Sequence, residues 1–384
     1  MPFYHKLGQI PNKRHTQFRR ASGELYYEEV MGTRGFSGVQ SILYHLHPPT
    51  KVKEVKAKGT ISYDMEAQPL LQHRHFRTKG AEWKGDPITG RQYFLANEDV
   101  QIGLCTPKEN MNYFYKNGLK DELIFVHEGS GVLESVFGSL AFKPGDYIVI
   151  PIGTTYKMVL EGEGHRFLVV ESNSRVEPPK RYRNEYGQLL EHSPYCERDI
   201  HIPTWVEPRE EKGEFEVRIN LDNQVTSYLF EHHPFDVVGW DGYLYPWTLS
   251  IHDFEPITGR IHQPPPVHQT FSGNNFVVCS FVPRLFDYHP EAIPAPYAHS
   301  NVNSDEVLYY VEGNFMSRKG IDQGSFTLHP SGIPHGPHPG TIEASIGKKA
   351  TEELAVMIDT FRPLHATSLA LTFEDPKYMS SWND

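Results

Sequence analysis

The most informative part of this chain is a pair of neighbouring segments, HSNVNSDEVLYYVEG (residues 299–313) and GSFTLHPSGIPH (residues 324–335). Each contains a run that predicts a short strand, and the second run ends at a Pro-Ser-Gly turn. Two such strands would bring His299, Glu306 and His335 within reach of one point. Two imidazoles and one carboxylate, with other positions left open, form a ligand set that suits non-haem Fe(II). The segments therefore predict a metal centre.

The spacing within these segments resembles the two sequence motifs of the cupin family. The first motif runs His, any residue, His, three or four residues, Glu, six residues and Gly. The second runs Gly, five residues, Pro, any residue, Gly, two residues and His. Seven positions agree in type and spacing: His299, Glu306, Gly313, Gly324, Pro330, Gly332 and His335. Asn301 stands where many cupins have a second His, which leaves a two-His, one-carboxylate set.

The same spacing occurs a second time, nearer the N-terminus, which indicates an internal duplication. The repeated positions are Tyr115, Asn117, Glu122, Gly129, Gly145, Pro151, Gly153 and Tyr156. Both ligand histidines are replaced there, by Tyr115 and Tyr156, so we predict that this copy has lost its metal. The predicted fold is all-β, with two cupin (jelly-roll) β-barrels and few short helices. Residues 1–200 are predicted to form the degenerate domain with an N-terminal arm, and residues 201–384 the catalytic domain.

Composition narrows the possible partners and compartment. The chain has 384 residues, with 37 basic against 48 acidic side chains and a formal charge of −11, which argues against a nucleic-acid or anionic-membrane partner. Three widely spaced cysteines predict no disulfide framework. Without an apolar segment long enough for a membrane span or a signal peptide, a cytoplasmic protein is expected.

Beyond the metal motif, the sequence resembles the homogentisate 1,2-dioxygenases, which open an aromatic ring with O2 in tyrosine and phenylalanine breakdown. The segments that carry this resemblance are PYAHSN (296–301), LHP (328–330), PHGP (334–337), FVPR (281–284) and the proline-rich loop after His262. The resemblance implies that Fe(II) is bound by His299, Glu306 and His335. It further implies that His262 is the acid–base residue and that Tyr297 and His329 lie near the substrate. A homo-oligomer, trimer or hexamer, is also implied.

Two departures from the family pattern leave alternatives open. One extra residue separates His299 from the carboxylate, so Asp305 competes with Glu306; we favour Glu306, which keeps the distance to Gly313. The family's arginine after the first ligand, which meets the substrate carboxylate, is Ser300 here. Arg260, Arg284 and Arg318 are candidates to supply the missing charge. His268 is a second candidate for the base.

The expected reaction is cleavage of homogentisate to maleylacetoacetate. A gentisate-type ring-cleaving enzyme is the alternative within the same class, and a metal-dependent cupin sugar isomerase or a non-catalytic, pirin-like bicupin are the alternatives outside it. A further pair, His45 and His47, lies in a strand-like segment near the N-terminus. Because no carboxylate follows at the cupin spacing, we interpret it as a surface or hydrogen-bonded pair.

Overall fold

The computed structural model describes residues 3–313, 315 and 320–383 of the chain. Strands dominate, and the α-helices of this part are two short ones, α1 (Thr341–Ser345) and α2 (Ser368–Thr372). Short 3-10 helices span Lys180–Tyr182, Glu197–Asp199, Ile251–Asp253, Pro265–His268 and Met379–Asn383. Among the described residues, none of the helices is long and apolar enough to cross a membrane. The all-β prediction is confirmed.

Twelve strands precede residue 180. They are β1 (His5–Gly8), β2 (Tyr27–Gly32), β3 (Gln40–His45), β4 (Glu54–Thr60), β5 (Arg74–Phe76), β6 (Arg91–Ala96), β7 (Val100–Cys105), β8 (Phe114–Asn117), β9 (Asp121–Ser135), β10 (Gly138–Phe142), β11 (Asp146–Ile150) and β12 (Thr155–Ser172).

Thirteen strands follow. They are β13 (Ile200–His201), β14 (Lys212–Leu221), β15 (Gln224–His232), β16 (Val237–Gly242), β17 (Trp247–Ser250), β18 (Gln269–Gly273), β19 (Phe276–Phe281), β20 (Arg284–Leu285), β21 (Asp305–Glu312), β22 (Phe326–His329), β23 (Ala350–Thr351), β24 (Leu354–Thr360) and β25 (His365–Ala366). The two strands predicted around the metal motif are β21 and β22.

The strands form three main sheets. The N-terminal sheet has the order β1-β16-β3-β2, and the second-copy sheet has the order β18-β19-β24-β21-β22-β5. The large sheet follows the path β13-β17-β11-β9-β12-β8-β14-β15-β4, with β10 paired to β9 and with β7, β6 and β25 added in succession to β12. A separate two-stranded ladder joins β20 to β23.

Strand registers make the duplication visible in three dimensions. In each copy the first motif position pairs with the last, and the motif glutamate has one neighbour on each adjacent strand. The pairs of the first copy are Tyr115 with Tyr156, Glu122 with Ile150 and Glu122 with Glu171. Those of the second copy are His299 with His335, Glu306 with His329 and Glu306 with Asp359. The chain therefore contains two cupin repeats.

Backbone details of the motif are also repeated. Gly129 and Gly313, which follow the motif glutamates, have φ values of +89° and +99°, a region that side chains rarely adopt. A Cβ on Gly313 would lie 2.7 Å from the carbonyl oxygen of Glu352. This glycine is required because the chain must turn left-handed where another segment passes closely.

The two copies exchange strands. From the first half, β5 pairs with β22 of the second-copy sheet, whereas β17 and β25 from the second half complete the large sheet against β11 and β6. The aromatic core is shared in the same way, since the rings of Phe94 and Phe326 lie 5.1 Å apart and those of Tyr147 and Phe271 also 5.1 Å. The predicted boundary between residues 200 and 201 stays a prediction, and the packing on either side of it is continuous.

Candidate metal centre

Three predicted ligands converge at one end of the second-copy sheet. Glu306 is the second residue of β21, while His299 and His335 face each other across a backbone bridge just outside the strands. The Nε2 atoms of His299 and His335 lie 3.8 and 3.4 Å from Oε2 of Glu306. Their ring centroids are 4.2 Å apart. The structure thus brings together the three residues that the spacing predicted.

This donor set fits a divalent transition-metal ion. Ligand atoms about 2.1 Å from one ion, on neighbouring vertices of an octahedron, are about 3 Å apart. The three donor atoms lie within 4.8 Å of one another, so a small inward shift would bring them to that distance. Glu306 and His335 are buried, whereas the His299 side chain is 30% exposed, which leaves an open side for small molecules.

The carboxylate of Glu306 is oriented by a buried histidine on the side away from His299 and His335. Its Oε1 lies 2.7 Å from Nδ1 of His329, and Nε2 of that ring lies 3.0 Å from the Tyr378 hydroxyl. Burial alone would raise the pKa of Glu306, but contacts with His299, His329 and His335 outweigh it and hold the pKa well below its usual value. The carboxylate is therefore ionised and oriented, as a metal ligand needs to be.

Asp305, the competing carboxylate, is fully engaged elsewhere. Its two oxygens accept hydrogen bonds from the backbone amides of Ser331 and Leu364, both at 2.7 Å. Asp121 does the same in the first copy, accepting from Ile152 and Val176 at 2.8 and 3.0 Å. In both repeats, this aspartate holds the motif loop through backbone hydrogen bonds. Glu306 is therefore the carboxylate that faces the two histidines.

The predicted base, His262, lies on the open side of the group. Its ring packs edge-on against Tyr297 at 5.1 Å, and Tyr297 lies 6.0 Å from His299. Nδ1 of His262 is 3.3 Å from Oδ2 of Asp287, and half of its side chain is exposed. A half-exposed imidazole, a half-exposed phenol and a metal-type donor set therefore line one continuous surface.

His268, the second candidate for the base, has a different environment. It is buried with its ring 4.7 Å from that of Phe281, and its Nδ1 has no hydrogen-bond partner among the described residues. Burial and the neighbouring Arg284 lower the pKa of His268 to about 3. Such a ring accepts a proton poorly at neutral pH, so His262 is the better placed of the two.

The surroundings of His329 and of two arginine candidates are defined in the structure. Both ring nitrogens of His329 contact protein groups, and the side chain is fully buried, so its predicted place near the substrate stays a prediction. Arg284 lies 3.7 Å from Glu353, and Arg260 is exposed. Arg318 lies outside the described residues.

The first copy holds a different group at the equivalent place. The Arg91 guanidinium contacts Glu122, lies 2.7 Å from Oε1 of Glu171 and donates to the Tyr156 hydroxyl at 3.2 Å. The Tyr156 hydroxyl in turn donates to Glu122 at 2.6 Å. A side-chain cation thus fills the space between these carboxylates, and the loss of metal from this copy stays a prediction.

Sequence reasoning missed two residues of the second copy. Asp359 lies beside Glu306 on β24, and its Oδ1 is buried without a hydrogen-bond partner among the described residues. Extending the repeat beyond the motifs would have found it, since it pairs as Glu171 does. Tyr378, which holds His329, lies near the C-terminus outside both motifs, so no spacing pointed to it.

The sequence is similar to known proteins over most of its length. The sequence model of the family described as homogentisate 1,2-dioxygenase N-terminal matches residues 87–251. A Saccharolobus solfataricus protein, named provisionally as a dioxygenase, is 42% identical over 100% of this chain and 99% of its own length. Human homogentisate 1,2-dioxygenase is 25% identical over 91% of this chain and 83% of its own. A solved cupin 2 conserved barrel domain protein from Leptotrichia buccalis covers 71% of this chain and 88% of its own, with 9% identity and a TM-score of 0.31. The chain belongs to the homogentisate 1,2-dioxygenase family.

Proposed function

We propose that this protein is an Fe(II)-dependent ring-cleaving dioxygenase whose substrate is homogentisate and whose product is maleylacetoacetate. The observation that carries the proposal is the convergence of His299, Glu306 and His335 beneath a surface formed by His262 and Tyr297. Fe(II), when bound, would supply a common site for the phenol and O2 and would acidify the phenol.

In this proposal the protein holds the ion and orients the substrate. His299, Glu306 and His335 are the ligands, and the contact from His329 fixes which oxygen of Glu306 faces the ion. The ring of Tyr297 lines one wall of the site. Because its phenol is half exposed and lies between His262 and His299, it can pack against an aromatic ring bound there.

His262 moves the proton. Asp287 beside Nδ1 favours the tautomer with hydrogen on that nitrogen, which leaves the lone pair on Nε2. Nε2 would take the phenol proton of the substrate and return it later to the opened chain. The exposed position of His262 allows this exchange without any rearrangement of the buried ligands.

Oxygen uptake by anaerobically Fe(II)-loaded protein, with homogentisate and gentisate offered separately, tests the proposal. Uptake with homogentisate alone supports it. Uptake with gentisate alone would identify the alternative substrate. Gentisate is included because Ser300 replaces the family arginine that meets the carboxylate of homogentisate. Uptake with neither, at one iron per chain, would reject both substrates. Failure to bind iron would reject the enzyme and favour a pirin-like binding protein.

The role of His262 has a matched control within the same loop. His262→Gln is expected to lower kcat by about 10²–10⁴-fold while the iron content stays unchanged. His268→Gln, six residues further on, is expected to leave kcat within a few-fold of wild type in folded protein. The reverse result would assign the base to His268.

A further inference from the structure

We propose that His47, His232 and Asp236 form a second metal site, separate from the Glu306 centre, that binds a divalent cation of the zinc class. Two of the three residues are close in sequence, since His232 ends β15 and Asp236 immediately precedes β16, whereas His47 follows β3 in the N-terminal part of the chain. One donor atom from each lies within 4.8 Å of the other two, the same limit that the group around Glu306 meets.

The two imidazoles are arranged as neighbouring ligands of one ion. The rings of His47 and His232 lie 4.6 Å apart with 22° between their planes, close to the 4.2 Å that separates His299 from His335. Nδ1 of His47 is 3.1 Å from Oδ2 of Asp236. Two nitrogens and one carboxylate oxygen, with one position left for water, form a common zinc set.

Surrounding groups hold Asp236 in place. Its backbone carbonyl accepts from Leu46, its Oδ2 accepts from the backbone amide of His47 at 2.8 Å, and its Oδ1 lies 2.8 Å from Nδ1 of His45. Nε2 of His45 lies 3.0 Å from Glu29. This carboxylate–imidazole–carboxylate chain resembles the outer hydrogen bonds that orient metal ligands in proteins.

The cluster can be reached from solvent through one of its ligands. The His47 side chain is 26% exposed, which gives an ion a path from solvent.

Both His45 and His47 are hydrogen bonded to protein groups, as the sequence suggested. The carboxylate that the local sequence does not supply is that of Asp236, 189 residues after His47. His232 supplies the third donor from a different strand. Because the pairing of β3 with β16 brings His47 to His232 and Asp236, no local sequence motif contains all three residues. A cation bound there would tie the N-terminal sheet to the end of β15.

Cobalt(II) and zinc(II) binding to the full-length chain tests this inference. The variant Glu306→Ala/His335→Ala removes the first centre, so any remaining site is measured alone. One equivalent of Co(II) per chain is expected, with the visible absorption of a four-coordinate ion, and Zn(II) should displace it. Binding of no Co(II) in this background would overturn the proposal.

Single substitutions in the same background identify the ligands. His47→Gln is expected to weaken Zn(II) binding by more than about 100-fold, since loss of even an outer partner costs about 10–100-fold. Asp236→Asn should weaken it similarly, and His201→Gln, an exposed histidine elsewhere, should not. Because His47 is partly exposed, its variant should keep the wild-type circular dichroism spectrum. Unchanged Zn(II) affinity in folded His47→Gln would reject the site.

Discussion

The two cupin repeats place a buried glutamate at the same point and neutralise it in different ways. Glu122 of the first copy meets the guanidinium of Arg91 and the hydroxyl of Tyr156. Glu306 of the second copy meets three imidazoles and has no arginine or lysine among its ion-pair partners in the described part of the chain. A buried carboxylate needs a positive partner, so the first copy carries its own cation and the second copy is built to receive one.

The register of the two sheets explains the difference. A bulge follows Tyr93 in the pairing of β6 with β7, and a bulge follows Gln269 in the pairing of β18 with β19. Aligning the bulges places Arg91 on Val267, which carries no charge. One side chain at this position therefore distinguishes a closed, self-neutralised centre from an open one.

The largest expected difference between the copies is in metal-dependent turnover. Glu306→Gln should lower iron-dependent oxygen uptake by at least about 1,000-fold, because an amide is a poor ligand and the His329 contact is disturbed. Glu122→Gln, the same substitution at the equivalent position, should leave the iron content unchanged. Iron per chain and oxygen uptake, measured side by side on both variants, check this.

The contrast would fail if Glu122→Gln released iron from folded protein. That outcome would mean that the first copy contributes to the metal centre. Circular dichroism on both variants separates loss of metal from loss of fold.

Removal of the cation from the first copy should affect stability and not metal binding. Arg91→Met removes the guanidinium between the buried Glu122 and Glu171 and leaves Lys120, 3.9 Å from Oε2 of Glu171, as the remaining cation beside that pair. The free energy of unfolding should fall by about 3–5 kcal/mol, the usual cost of breaking a buried ion pair. Denaturant titration measures it, and Arg209→Met, whose ion pair is exposed, serves as the control that should change little.

The contact between the copies should appear as a smaller, pH-dependent effect. Nδ1 of His127 on β9 lies 2.6 Å from the Tyr309 hydroxyl on β21, and burial together with Arg166 lowers the pKa of His127 to about 4. Between pH 6.5 and 4 the unfolded chain binds a proton that the folded chain excludes, so stability falls as pH falls. His127→Gln should reduce this slope by at most about 1.4 kcal/mol per pH unit. An equal slope in His192→Gln and His127→Gln would contradict the assignment.

Much of the second copy could be predicted because its chemistry is local. The spacing from His299 to His335 covers one pair of strands, and β21 and β22 formed where the apolar runs lay. The same spacing located the first copy and its lost histidines. Its glutamate was found as well, but Arg91 was not, because that residue precedes the motif on a strand that joins the site only through the sheet.

Other features lay beyond sequence reasoning for a physical reason. The exchange of β5, β17 and β25 between the halves depends on which sheet edge is free. The sequence pattern of a strand does not specify the sheet edge with which that strand pairs. The choice between Asp305 and Glu306 depended on which carboxylate meets the backbone amides of Ser331 and Leu364. Adjacent residues of a strand point to opposite faces of the sheet, so the folded structure shows which of the two carboxylates faces the histidines.

The late pairing of β25 has a consequence for biosynthesis. The strand contains His365 and Ala366, and it closes the edge of β6, which was made long before it. Until residues 365 and 366 have emerged from the ribosome, β6 has one edge unpaired and could pair with a neighbouring nascent chain. Emergence of β25, and not synthesis of the first repeat, is therefore the step at which this edge of the first repeat is closed. A stop codon shortly before residue 365 would be expected to yield aggregated protein in place of a shortened, soluble one.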